Sequence, residues 1–423
     1  MNEKSNPGPA FAYVTTLFFA WGFVTSVIDP LVASVRTVFQ LNYTEAMLTQ
    51  FSWFIAYGLM SMPAAAVLSR LGFSRAILAA LAAMVAGCLM IPLATTLDLY
   101  PGVLAALFVI ASGVTLLQVA ANPLSAALGK PEHSHFRLTL SQAFNSLGTV
   151  LGPRLGAGVM LAGGVFAAGA SVHSALGRAA SLRAIDVAFL VIGGFFFAVG
   201  ALIWSASKRI DAAAPDKSTI AGAPWAALTS GWALFGALAI FLYVGSEVSI
   251  GSMLTNFLHD NIAGIDMKSA GEMVSFYWGG AMVGRFLGSA ALRRAPAGVL
   301  LSIAALCAAA LCFAVTQLSG GLGAHVALVI GFFNSIMFPV IFTLTLERST
   351  APASATSGLL CMAIVGGAAL PVVSGRIADM AGVLTPAFFV PMTGYLGVAL
   401  FALAAARARA KSSDAPASAA IGH

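Results

Sequence analysis

Charged residues are scarce in this chain. Only 9% of its 423 residues are Asp, Glu, Lys or Arg and 59% are hydrophobic, whereas ordinary soluble domains carry about 25% charge. A water-soluble globular fold is excluded. Strands of alternating polarity are also missing, and the continuous apolar runs in their place exclude a transmembrane β-barrel. Four cysteines, Cys88, Cys307, Cys312 and Cys361, lie inside apolar runs, where a thiol packs as a small hydrophobe and not as part of a disulfide framework. His133 and His135 flank a turn with no further Cys or acidic ligand at metal spacing, so no metal site is expected. No His-Glu-x-x-His or Gly-x-Ser-x-Gly pattern occurs, which argues against an intramembrane enzyme. No feature calls for a cofactor. The first apolar run is long enough to span and lacks a cleavage site behind it, so it reads as a retained helix.

What is present is a series of apolar segments, near 11–38, 45–69, 75–96, 101–128, 136–164 and 187–207. A second series follows near 227–258, 270–292, 297–317, 322–346, 354–378 and 385–406. Each can supply the ~20 residues that cross a bilayer. The expected fold class is an all-α membrane protein of twelve transmembrane helices in two six-helix bundles. Residues 1–206 form the first bundle, 207–224 a cytoplasmic linker rich in Lys, Asp, Ala and Pro, and 225–423 the second bundle with a short cytoplasmic tail. The net charge of +6 follows the loops. Arg70, Arg75, Lys130, Lys208, Arg209, Arg293, Arg294 and Arg407 fall at one set of ends, and Arg178, Arg183 and Arg376 at the other. The positive-inside rule then puts both termini in the cytoplasm, and the excess needs no nucleic-acid partner.

Against that background single polar residues stand out. Asp29 is a lone carboxylate in the stretch Phe11 to Val35, followed at once by Pro30, which predicts an interrupted helix beside a costly charge. Glu247 and Arg154 lie as deep in their own segments, and Arg154 could pair permanently with either acid. Gln118 and Asn122 are four residues apart, Gln142 and Asn145 three apart, and Asn334 adds a fifth amide. Amides in hydrocarbon need partners, either a neighbouring helix or a wet cavity. In a cavity, donors and acceptors together suit a neutral polyhydroxylated ligand, and Trp278 could lay its face on a sugar ring. Arg285, Glu347 and Arg348 sit towards cytoplasmic ends and read as gating or loop ion pairs, away from substrate. Gly156, Gly158, Gly163, Gly164, Gly366 and Gly367 permit close helix approach.

At Ala120-Ala121-Asn122-Pro123 and from His135-Phe136-Arg137-Leu138 to Phe144-Asn145-Ser146 the chain resembles the fucose/proton symporter family of the major facilitator superfamily. Trp21-Gly22 to Asp29, Tyr243-Val244-Gly245, Gly284-Arg285-Phe286 and Phe338-Pro339 with Ile341-Phe342 extend the resemblance across both halves. The resemblance implies the major facilitator fold and proton cycling on the first-helix aspartate, here Asp29. The family's fourth-helix glutamate is replaced by Gln118. That departure, with Glu247-Val248-Ser249-Ile250-Gly251, looks like the branch that carries glucose, galactose or N-acetylglucosamine.

The resulting expectation is a secondary active importer of a neutral hexose (glucose, galactose, mannose or N-acetylglucosamine) by proton symport through alternating access. Asp29 and Glu247 would carry proton coupling with Arg154 as charge partner, and Gln118, Asn122, Gln142, Asn145, Trp278 and Asn334 would hold the sugar. The expected setting is a bacterial inner membrane, as a multi-pass monomer. A sodium-coupled or facilitative carrier, with Asp29 in a structural ion pair, is the alternative. A non-transporting sugar sensor is disfavoured by the lack of a sizeable soluble signalling domain.

Overall fold

The computed structural model describes residues 7–41, 43–161, 163–166, 174–216, 221–265 and 267–408. Part of the expected linker, residues 217–220, and the tail from 409 onward lie outside that set, as does the Asp29 side chain. The first six helices are α1 (Pro7–Val38), α2 (Tyr43–Leu71), α3 (Phe73–Thr96), α4 (Tyr100–Ala127), α5 (Ser134–Met160) and α6 (Ala175–Ala213). Six more crossings follow: α7 (Gly231–Asn261), α8 (Met267–Ala291), α9 (Ala297–Gln317), α10 with α11 (Gly320–Asn334, Met337–Arg348), α12 with α13 (Ala353–Met362, Gly366–Ala381) and α14 (Phe389–Arg407). Alternation of direction puts Pro7 and Ala408 on the same face of the molecule, called here the termini face. The opposite side is the far face.

Ten of these stretches are long and apolar enough to cross a bilayer. The two long helices outside that group, α5 and α8, are richer in polar residues: His135, Arg137, Gln142, Asn145 and Arg154 in one, Glu272 and Arg285 in the other. Such residues are tolerated at membrane depth where they face protein or a wet cavity. Large apolar side chains on the outer surface, among them Phe197, Trp204 and Leu93, are exposed. In this fold that belt is the lipid contact.

Within the first half α1 packs on α5 and α3 on both α4 and α6; within the second, α7 packs on α13 and α14, and α8 on α10. The halves meet through α5 against α8 and α2 against α12. The α1–α5 crossing is close because glycine makes it so. A Cβ on Gly22 would collide with the Asn145 backbone carbonyl, and one on Gly148 with that of Phe19. Gly156 leaves room for the Pro30 ring, 3.0 Å from where its Cβ would stand, whereas Gly158 faces open space.

Two expectations change here. α1 is not interrupted at Pro30 but runs on to Val38, because the ring lodges against Gly156 and a bent helix can absorb one missing donor. The breaks occur in the second half instead, at Ser335–Ile336 between α10 and α11 and at Ala363–Val365 between α12 and α13. Pro339, in the first turn of α11, accounts for the first of these. The sixth helix also continues through Ser207 to Ala213, so the start of the expected linker is helical.

Candidate functional site

A central cavity of about 200 Å³ lies between the halves. Its first-half wall is made by Trp21, Gly22 and Thr25 of α1, Tyr57 of α2, Gln118 of α4, and Gln142, Asn145 and Thr149 of α5. The opposite wall is Tyr243, Val244 and Glu247 of α7, Arg285 of α8 and Phe338 of α11, with Ile364 at the second helix break. One wall is thus amide and aromatic, the other carries an acid and a base.

Hydrogen bonds fix several of these groups. Gln118 Nε2 donates to Tyr57 Oη at 2.7 Å, and Asn145 Nδ2 donates to the Phe18 carbonyl at 3.0 Å. The Gln142 side chain makes no hydrogen bond to another described residue; only its backbone carbonyl is engaged, by Ser146, so the side-chain amide is open to a ligand. Behind Glu247 lies a buried tyrosine layer. Tyr243 Oη donates to the Asn334 carbonyl at 3.2 Å, Asn334 Nδ2 donates to Tyr277 Oη at 2.7 Å, and Tyr277 Oη donates to the Glu247 carbonyl at 3.4 Å. The break after Asn334 supplies this layer, since interrupting a helix frees its last carbonyls for outside donors. Glu247 Oε1 is buried without a hydrogen-bond partner.

Of the residues expected from sequence, Gln118, Gln142, Asn145 and Glu247 come together in the wall. Asn334 does not line it but supports Tyr277 from behind. Asn122 is fully buried beside Cys361 of α12, at the junction of the halves, and apart from that weak approach to a thiol neither amide atom has a partner. Trp278 is also outside the wall. It stands over Gly251, one turn of α7 beyond Glu247 towards the far face, edge-on to Tyr277 at 5.1 Å and 40% exposed. The indole in the wall is Trp21, packed on Phe18 at 4.1 Å.

Arg154 is exposed near the far end of α5, and Glu247 faces Arg285 instead. Arg285 thus belongs to the cavity and not to a loop ion pair. Its Cα lies six residues from the end of α8, but side chains tilt towards a helix's N-terminus, which for α8 is the far face. The guanidinium therefore reaches back to mid-membrane. Residues 14–364 match the family model of the Major Facilitator Superfamily. The chain belongs to that superfamily. It is 41% identical over 403 residues to a glucose/galactose transporter of Brucella abortus biovar 1 (strain 9-941), covering 95% of each chain. It is 33% identical over 410 residues to a putative glucose/galactose transporter of Helicobacter pylori (strain ATCC 700392 / 26695), covering 95% of this chain and 98% of the relative. A crystal structure of the superfamily transporter FucP in the outward conformation superposes with a TM-score of 0.83 at 25% identity, covering 93% and 98%. These relatives are transporters and not enzymes.

In this major facilitator protein the halves are clasped on the termini face. Ser134 Oγ donates to Glu347 at 2.8 Å, His135 Nε2 lies 3.2 Å from the same carboxylate oxygen, and His135 Nδ1 is 2.5 Å from Thr343 Oγ1. Ser357 Oγ donates to the Val119 carbonyl at 2.8 Å, and Arg293 stacks over Phe136 at 4.6 Å. Glu347 also pairs with Arg348 at 3.3 Å. His135 precedes the apolar run that starts at Phe136, at the mouth of the clasp. Burial pushes its imidazole below the ordinary histidine range, more than Glu347 raises it, with Arg348 and Arg137 adding to the depression. A neutral ring with its proton on Nε2 donates to Glu347, while Nδ1 shares the Thr343 hydroxyl with the Pro339 carbonyl, to which that hydroxyl donates at 2.8 Å.

Proposed function

We propose that this transporter imports a neutral hexose, of the glucose, galactose, mannose or N-acetylglucosamine type, by proton symport through alternating access. The observation that carries the reading is the cavity between the halves, where Gln118, Gln142 and Asn145 face Glu247 and Arg285. A hexose leaves water only if its hydroxyls find donors and acceptors, and amides supply both while an acid–base pair supplies one of each. The names of the Brucella and Helicobacter relatives support glucose and galactose as the first sugars to try. Trp278 stands outside the wall at the far-face mouth, and in this reading it would fold over the ring when the halves rock.

Proton coupling rests on carboxylates in hydrocarbon. Glu247 is half-buried in the wall with one carboxyl oxygen buried and unpartnered, and Asp29 lies in α1 four residues beyond the wall residue Thr25. An ionised carboxylate without a cation beside it opposes reorientation; neutral with sugar bound, or offset by a cation of its own half, it permits it. The basic residues Arg70, Arg75, Lys130, Arg293 and Arg294 crowd the termini face, which supports cytoplasmic termini in a bacterial inner membrane. The clasp then closes the cytoplasmic side, and the cavity opens outward. The working unit is a monomer built from residues 1–206 and 225–423, and the segment 207–224 that joins them begins as the last turns of α6, which ends at Ala213.

Counterflow in proteoliposomes against glucose, galactose, mannose and N-acetylglucosamine tests the substrate class, and indifference to all four rejects it. Uptake that survived a proton uncoupler but required sodium would reject the coupling ion.

A further inference from the structure

Arg285 and Glu247 line the same wall, but the described structure shows no ion pair between them. The guanidinium is committed elsewhere. Its Nε donates to the Ser335 carbonyl at 3.2 Å, freed by the break after α10, and its Nη1 donates to Ser146 Oγ on α5. Ser146 passes its own proton to the Gln142 carbonyl at 3.1 Å, so its oxygen is left as an acceptor. A cation of the second half is therefore tied to a hydroxyl of the first, at the floor of the cavity.

Proton accounting at Glu247 explains why the cation can be spared. Tyr243 lies against the carboxyl group, but its one proton, donated to the Asn334 carbonyl at 3.2 Å, can serve only one acceptor at a time. Glu247 Oε1 is left without a partner, a state that costs a neutral acid less than an ionised one. The other groups facing Glu247 are Tyr277 and Arg285 from α8 and Tyr395 from α14. Among the described residues Arg285 is the cation of this set. In a low-dielectric wall an ionised Glu247 attracts it more strongly than a neutral hydroxyl can.

We propose that Arg285 is a latch that ties α8 to Ser146 of α5 while Glu247 is protonated, so that the proton-loaded but sugar-free transporter cannot cross. A bound sugar hydroxyl replaces Ser146 as acceptor and releases the halves. Ionisation of Glu247 draws Arg285 back to its own half and releases them by the second route, which lets the empty carrier return. The role is positioning: Arg285 decides which loaded states move. This inference rests on the proton-symport reading above.

The test uses full-length protein in proteoliposomes with an imposed pH gradient and an internal pH dye, with and without glucose or galactose. Wild type should admit protons only with sugar. Ser146→Ala should raise sugar-free proton entry by about tenfold, the scale of one charge-assisted hydrogen bond, and keep sugar counterflow within about twofold. Ser146→Thr, which restores an acceptor hydroxyl, should be as tight as wild type. A Ser146→Ala protein that exchanges sugar and stays tight overturns the latch. One that loses counterflow also overturns it, because Ser146 would then be a structural contact. If wild type itself shows no sugar-driven proton entry, the symport reading falls and takes the latch with it; if wild type couples and the alanine variant is tight, only the latch falls.

Discussion

Tyr57 and Gln118 meet across the gap between α2 and α4, the amide nitrogen 2.7 Å from the phenol oxygen, and both face the cavity. The phenol accepts from the amide, so its own proton points to another acceptor, which a sugar hydroxyl can be. Under the proposed sugar-transport reading the pair would act as one recognition element, with Gln118 orienting Tyr57.

Gln118→Ala should therefore weaken sugar binding through two residues at once. The loss of one hydrogen bond and the desolvation of a stranded phenol amount to about 1–3 kcal/mol. Sugar half-saturation should rise by about tenfold, with maximal counterflow little changed, as measured from initial rates across a concentration series. Gln118→Glu should instead add a titratable group to the wall, giving a second pH-dependent limb to uptake that wild type lacks.

Asn334→Leu tests the layer behind the wall. Asn334 Nδ2 is a hydrogen-bond donor to Tyr277, and the residue is fully buried. Replacement removes the donor to a buried phenol oxygen, at a cost of about 1–3 kcal/mol. The detergent-solubilised protein should melt several degrees lower, and transport should fall because the Tyr277 hydroxyl, still donating to the Glu247 carbonyl, is no longer fixed from behind by Asn334. A variant with unchanged melting and unchanged transport would show that the tyrosine layer does not support the site.

The site residues legible in sequence were those whose chemistry conflicts with their solvent. An amide or acid deep in an apolar run must face inward, and Gln118, Gln142, Asn145 and Glu247 do. Depth along a helix was read from Cα position, which misplaced Arg285: a long side chain directed towards the helix N-terminus moves the charge by more than a turn. Tyr57 sits mid-span and invited the same argument as the amides, but its apolar body hid it among packing residues. Trp278 and Trp21 show the limit of composition, since both satisfy the requirement for a flat apolar face and only packing tells which one enters the wall. The helical count followed from hydrophobic length. The breaks at Ser335 and Ala363 did not, because they depend on tertiary partners for the freed carbonyls.

Gly22→Ala should uncouple fold from site. A methyl group there collides with the Asn145 carbonyl and its side-chain amide, so α1 and α5 must separate or Asn145 must leave the wall. Overpacking of this kind costs about 1–3 kcal/mol. Both the melting temperature and the sugar affinity should fall, whereas Gly158→Ala, where nothing lies within 4 Å, should change neither.

The clasp on the termini face makes a pH prediction whose sign follows from His135. In the clasped state burial holds its pKa below the ordinary value; with the halves parted the ring is hydrated and regains the ordinary value. The clasped state thus binds fewer protons at His135. Its stability relative to the parted state is complete above the ordinary histidine pKa and is lost as pH falls from there towards the depressed one. Glu347, Arg348 and Arg137 surround the ring, and the two arginines oppose its protonation while the clasp is shut. Spin labels at Arg75 and Arg294, one in each half and both exposed, should therefore move apart as pH is lowered from neutral into the mildly acidic range. His135→Asn keeps a polar group of similar reach without a titration in that range. It should hold one label separation across the same interval. If the asparagine variant opens with acid as wild type does, the titrating group lies elsewhere and His135 is only part of the packing of the clasp.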